Sequence, residues 1–137
     1  MIVPALLASA LTLLAGLHFY WAAGGTWGMR QAVPEVNGRR AFTPSRPATV
    51  AVGLALAGAA CVAILRGFRL FSSFPGSPAH WAAIVMGSAF FLRALGEFKL
   101  VGFFKRVRGT PFATWDTWLF SPLCLLLSLA FFLIAAS

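Results

Sequence analysis

The sequence predicts an all-α polytopic membrane protein, a bundle of four transmembrane helices forming a single domain. Three observations lead there. Of its 137 residues, 60% are hydrophobic and 10% charged, where a soluble domain carries roughly 45–50% apolar and 25% charged residues. Mean hydropathy is +0.85. The apolar residues gather into four long runs, separated by stretches rich in Gly, Pro, Lys and Arg. These runs are uniformly apolar and do not alternate. Lipid offers no partner to an unpaired backbone group, so helices are expected and not strands.

The runs cover about residues 2–23, 48–65, 79–104 and 115–136. A hydrocarbon core of ~30 Å takes ~20 helical residues at 1.5 Å each. The first and fourth runs match that length and the second is near the short limit. The third exceeds it, so its last turns leave the hydrocarbon. No basic stretch precedes Ile2, as it would in a cleaved signal peptide, and the first run reads as a retained helix. The connection 24–47 holds Gly24, Gly25, Gly28, Gly38, Pro34, Pro44 and Pro47. No continuous helix crosses such a stretch, which makes it the candidate for a structured cap. The next connection, "RGFRLFSSFPGSPAH", sets a turn at Pro75-Gly76 and a helix start at Pro78, with "LFSSF" at the interface. The last is short and contains Gly109-Thr110-Pro111.

A net charge of +8 would suggest nucleic acid in a polar protein. Here the cations fall between apolar runs, so they read as topology signals and contacts to a lipid bilayer with anionic head groups, and no nucleic acid is expected. The first and third connections carry Arg30, Arg39, Arg40, Arg46, Lys105, Arg106 and Arg108, the second only Arg66 and Arg69. The positive-inside rule then puts loops 24–47 and 105–114 in the cytoplasm and both termini outside an inner (plasma) membrane. Cys61 and Cys124 lie in apolar runs without CxxC or Cys/His spacing. They read as small buried hydrophobes, no metal site is expected, and no cofactor is implied. In the second run Gly53/Ala57 and Ala55/Ala59 are small-xxx-small pairs. They mark close helix contact, within the bundle or across a homodimer.

With this threading, the polar side chains of the spans collect at the cytoplasmic ends. His18, Tyr20, Trp21 and Trp27 close the first run, Arg93, Glu97 and Lys99 the third, and Trp115, Asp116 and Trp118 open the fourth. Arg93 and Glu97 are four apart and so share a helix face. An unpaired Arg at that depth costs about 2–3 kcal/mol. Two readings follow: an intrahelical ion pair with Lys99 snorkelling to the head groups, or the charged wall of a polar cavity that includes Asp116 and His18. Asp116 also reads as a first-turn acid in a helix capped by Thr114. With Leu14 and Trp21 on its face, one turn from the end of its helix, His18 reads as a packed interfacial side chain or, where it meets Asp116 or Glu97, as a proton donor or acceptor. The tryptophans read as an interfacial belt or as the aromatic mouth for a planar or cationic ligand. Pro122 kinks the fourth helix, with Ser121 or Ser128 as local partners for the freed carbonyl. The candidate ligand-binding residues are His18, Tyr20, Trp21, Arg93, Glu97, Lys99 and Asp116.

Across "RALGEFKLVGFFKRVRGTPFATWDTWLFSPLC", with "HFYWAAGGTWG" near the start, the chain resembles DUF3995, a family of small bacterial membrane proteins of unknown function. The resemblance rests on Gly96, Phe98, Lys99, Gly102 to Arg106, "TPFATWD" and "SPLC". It implies a four-helix membrane protein and no particular activity. Three functions stay open. The first is binding or transport of a small anionic or amphipathic ligand. The second is an integral membrane enzyme using His18, Glu97 and Asp116 as acid–base groups on an apolar substrate. The third is an accessory or structural subunit. No nucleotide loop, HExxH or nucleophile elbow is present, which disfavours ATP-driven and hydrolytic mechanisms.

Overall fold

Three helices begin in the same way. Ser45, Ser77 and Thr110 each accept a hydrogen bond from the backbone N–H three residues on, at 3.3, 3.2 and 3.0 Å, with Pro47, Pro78 and Pro111 in the first turn. A hydroxyl satisfies one orphan donor of the helix start, and proline supplies the required φ without an N–H to lose. The computed structural model describes residues 1–70 and 74–137. Its elements are α1 (Ile2–Ala22), α2 (Met29–Ala32), β1 (Glu35–Val36), β2 (Arg39–Arg40), α3 (Arg46–Gly67), α4 (Pro78–Leu95), α5 (Pro111–Trp115) and α6 (Ser121–Ala136), with a π-helical turn at Asp116–Phe120 joining α5 to α6. Most of the "LFSSF" stretch expected at the interface, residues 71–73, lies outside the described residues.

The chain is mostly helical. Among the described residues, α1, α3 and the Pro111–Ala136 stretch are long and apolar enough to cross a membrane. α4 has 18 residues, includes His80 and Arg93, and is not among them. α1 packs against α3 and α4 against α6, with weaker contacts between the pairs. Both pairs are antiparallel. Gly67 near the end of α3 lies against Pro4 at the start of α1, while Gly53 at the other end lies under Phe19. A Cβ on Gly53 would sit 2.7 Å from the Phe19 ring, so this small residue serves a contact within the chain. Ala59, Ala60 and Ala63 continue the contact and join Leu7, Leu11, Ala83, Leu127, Phe131 and Ile134 in the core. Phe90 stacks on Phe131 at 5.9 Å, and the Ser128 hydroxyl donates to the Gly87 carbonyl at 2.7 Å. Ser128 therefore ties α6 to α4 and does not serve the carbonyl freed by Pro122.

At the end that holds the start of α1, Arg66 donates to the Ala135 carbonyl at 2.9 Å, His80 Nδ1 donates to the same carbonyl at 3.2 Å, and Arg69 donates to Ser137. Donors at the last carbonyls of a helix satisfy orphan acceptors, and the two arginines match the negative end of its dipole. Arg66 is only 2% exposed, so one of the two cations that the sequence places in this connection is a helix-packing residue.

Three expectations need correction. The third helix stops at Leu95 and not near residue 104, because Gly96 takes φ +85° and the chain turns back. Thr110, not Thr114, caps the helical stretch leading into α6. Cys61 is exposed on α3 and Cys124 only half-buried, so neither is a fully buried hydrophobe. The 24–47 connection is ordered by α2 and by a two-stranded hairpin pairing Glu35 with Arg40 and Val36 with Arg39. Its turn, Asn37-Gly38, has φ of +52° and +73°, the positive pair that a two-residue hairpin needs and that Asn-Gly supplies at low cost.

Candidate functional site

Two features occupy the end where α1 stops and α6 begins. The first is a buried ion cluster. Arg93 Nη2 meets Asp116 Oδ1 at 2.9 Å, and Lys105 Nζ meets Oδ2 at 3.1 Å. The Gly102 N–H also donates to Oδ2, at 2.8 Å. The Asp116 and Lys105 side chains are wholly buried, while that of Arg93 is 35% exposed. Lys105 spends its remaining donors on the Gly102 carbonyl at 3.0 Å and the Thr117 hydroxyl at 2.6 Å. All three ammonium hydrogens thus have acceptors. A buried lysine is tolerated only when paired and hydrogen-bonded in this way.

Glycines build this cluster. After Leu95 the chain makes a loop and returns, with Phe103 N–H donating to the Ala94 carbonyl at 2.8 Å. Gly96 and Gly102 cross at its neck with φ of +85° and +89°. A Cβ on Gly96 would overlap the Val101 carbonyl oxygen, and one on Gly102 would overlap the Leu95 carbonyl oxygen. Only glycine fits either position. The crossing presents the Gly102 N–H to Asp116 and carries Lys105 inward.

The π-helical turn sets the other half. In an α-helix, five residues turn through about 500°, which would put Asp116 roughly 140° around the axis from Ser121. Here Ser121 N–H bonds to the Asp116 carbonyl, a closure of five residues. The wider turn brings the two side chains toward one face, and both are fully buried.

The second feature is a pair of cavities on either side of Trp21. One, of about 440 Å³, lies between α1, α3 and the 24–47 connection, with His18, Trp21, Val33, Phe42, Thr49 and Val52 among its walls. The other, of about 380 Å³, lies between α1, α2 and the α5–α6 region, with Leu17, Trp21, Trp27, Gln31, Trp115 and Phe120 among its walls. His18 Nδ1 is 2.8 Å from the Leu14 carbonyl. A carbonyl only accepts, so Nδ1 carries the hydrogen and Nε2 is left for another partner. Trp21 contacts the imidazole edge-on at 5.1 Å and donates its indole N–H to the Trp27 carbonyl at 2.8 Å.

The residues nominated from sequence therefore separate. Arg93 and Asp116 meet in the cluster, and His18 and Trp21 meet at the first cavity. Tyr20 is half-exposed and accepts from the Trp27 backbone N–H at 3.3 Å, holding the turn after α1. Glu97 is not on a helix face with Arg93. It is exposed beyond the helix and accepts from the Leu100 N–H. Lys99 is exposed on the same loop. The predicted Arg93–Glu97 pair is replaced by Arg93–Asp116, because Gly96 ends the helix before Glu97 can take its place one turn on. Sequence reasoning missed Lys105, which stands among Arg106 and Arg108 and looks like a surface charge. The available signal was Gly96 and Gly102, since a glycine after a periodic run marks a helix stop.

Fold and site define a class: a small, mostly helical chain with helices apolar enough to cross a membrane, closed at one end by a buried ion cluster. Over residues 11–131 the chain matches the model of the family described as protein of unknown function, DUF3995, and it belongs to that family. No curated protein and no solved structure matches it.

Proposed function

We propose that the chain is a four-span inner-membrane protein that binds, and in that capacity carries or transports, a small amphipathic ligand with an acidic head. The site is the 440 Å³ cavity beside His18. The observation behind this reading is a mostly apolar cavity of ligand size with one imidazole nitrogen free among the described residues, walled by a connection that carries exposed Arg30, Arg39, Arg40 and Arg46. An apolar body fits the walls, the His18 Nε2 left over from the Leu14 contact hydrogen-bonds the head, and the cations raise the local concentration of anions. α4 is read as the fourth span because Trp81, Val85, Ala89 and Leu92 face outward along it while its polar Arg93 turns to Asp116.

Asp116 has no acid–base role in this reading, since its charge is already matched by two cations and it lines neither cavity. His18, Glu97 and Asp116 share no hydrogen bond or ion pair among the described residues, which weakens the enzyme alternative. A test compares thermal shifts of the purified chain with medium-chain carboxylates and with alcohols of equal length. Stabilisation by the carboxylates only, lost in His18→Leu and in the cavity-filling Val52→Trp, is the expected result. Equal shifts by acid and alcohol, or shifts that survive both substitutions, would refute it.

A further inference from the structure

The loop between α4 and α5 carries features that neither the ion cluster nor the cavities use. Lys99, Arg106 and Arg108 are all exposed on it. The Lys99 carbonyl accepts from the Arg106 N–H at 3.0 Å and the Val107 N–H at 2.9 Å. Two cations seven residues apart in sequence are thus pinned as backbone neighbours. Beside them Phe98 and Phe104 are 56% and 60% exposed, with ring centroids 6.3 Å apart. Phe98 holds φ +67°, a conformation that a bulky residue rarely adopts and that costs free energy unless its surroundings impose it. The imposed geometry turns an aromatic pair outward next to Lys99 and Arg106, and Arg108 donates to the carbonyl of Phe103, the neighbour of Phe104, at 3.4 Å.

We infer that this loop is a docking surface for anionic phospholipid, with Lys99, Arg106 and Arg108 on the head-group phosphates and Phe98 and Phe104 seated at the acyl boundary. Charge complementarity selects an anionic partner. The paired aromatics select a bilayer over a soluble phosphate, which would gain nothing from exposed rings. Non-helical backbone cannot enter the hydrocarbon unprotected, so the loop belongs at the interface, where anionic lipid attracts each nearby cation. This surface is separate from the His18 cavity, and each proposal stands if the other fails.

The test is retention of phosphatidylglycerol against phosphatidylcholine by the detergent-purified full chain, read by native mass spectrometry. Thermal stabilisation by each lipid and by inorganic phosphate is measured in parallel. The wild type is expected to prefer phosphatidylglycerol and to ignore inorganic phosphate. In the Lys99→Gln/Arg106→Gln/Arg108→Gln variant the preference should fall at least about tenfold. Phe98→Asn tolerates positive φ, so it removes the ring while keeping the loop. It should weaken retention of both lipids while leaving the unliganded melting temperature near wild type. Arg39→Gln/Arg40→Gln removes the same kind of charge from the hairpin and should leave the preference intact. An unchanged preference in the triple variant, an equal loss in the hairpin variant, or equal protection by inorganic phosphate would overturn the proposal.

Discussion

Asp116 receives a guanidinium, an ammonium and a backbone N–H in a site without water access of its own. Removing one partner of such a group strands the others: breaking a buried pair costs about 3–5 kcal/mol, whereas removing both charges together is far better tolerated. Asp116→Asn is therefore expected to destabilise the chain by about 3 kcal/mol. Asp116→Asn/Lys105→Met should recover a large part of that loss. Thermal unfolding in detergent checks both, and a double variant as unstable as the sum of the singles would show that the cluster is not coupled. The sequence marks Asp116 and Arg93 as unusual because a charge in an apolar run has few explanations. It does not mark Lys105, whose burial depends on a chain reversal that no local pattern of charges encodes.

At the scale of elements, the helix ends are where local chemistry speaks most clearly. Ser45, Ser77 and Thr110 with their following prolines start three helical segments, and a hydroxyl followed by proline is a start signal carried by neighbouring residues alone. Asn37-Gly38 belongs with them, as a hairpin signal strong enough to override the irregular look of the 24–47 connection. The end of α4 is harder to read, since apolar residues continue past Gly96 to Phe104 and hydropathy alone extends the helix. The crossing of Gly96 and Gly102 should be intolerant of any side chain. Gly102→Ala places a Cβ against the Leu95 oxygen at positive φ. It should cost more than about 2 kcal/mol and uncouple Lys105 from Asp116. Hydrogen exchange would show this as faster opening of residues 96–110, with α1 and α3 little changed. Protection that remained as in wild type would exclude the crossing as a structural requirement.

For the whole molecule, the structure redistributes the charges counted from sequence. Arg30, Arg39, Arg40, Arg46, Lys99, Arg106 and Arg108 are exposed at one end, against Arg69 at the other, with Lys105 and Arg66 buried. Lys99 takes the place of Lys105 in the count, so seven cations are still exposed at that end, which is the end that the positive-inside rule would put in the cytoplasm. Single-cysteine labelling in intact cells tests it, after Cys61 and Cys124 are replaced by serine. Thr26→Cys should react only when the membrane is opened, and Phe74→Cys should react from outside, both being exposed positions; the reverse pattern would invert the topology.

The helical class, the runs that become α1, α3 and α6, the polar bias of one end and the helix start at Pro78 follow from the sequence alone. Each depends on composition or on residues within a turn of one another. Which cation meets Asp116, where α4 stops, that His18 faces a cavity instead of a carboxylate, and that α6 begins from a π-helical turn were decided by tertiary structure. These depend on side chains meeting across α4, α6 and the 96–110 loop. Contacts between segments far apart in the chain are fixed only when packing has chosen which faces turn inward.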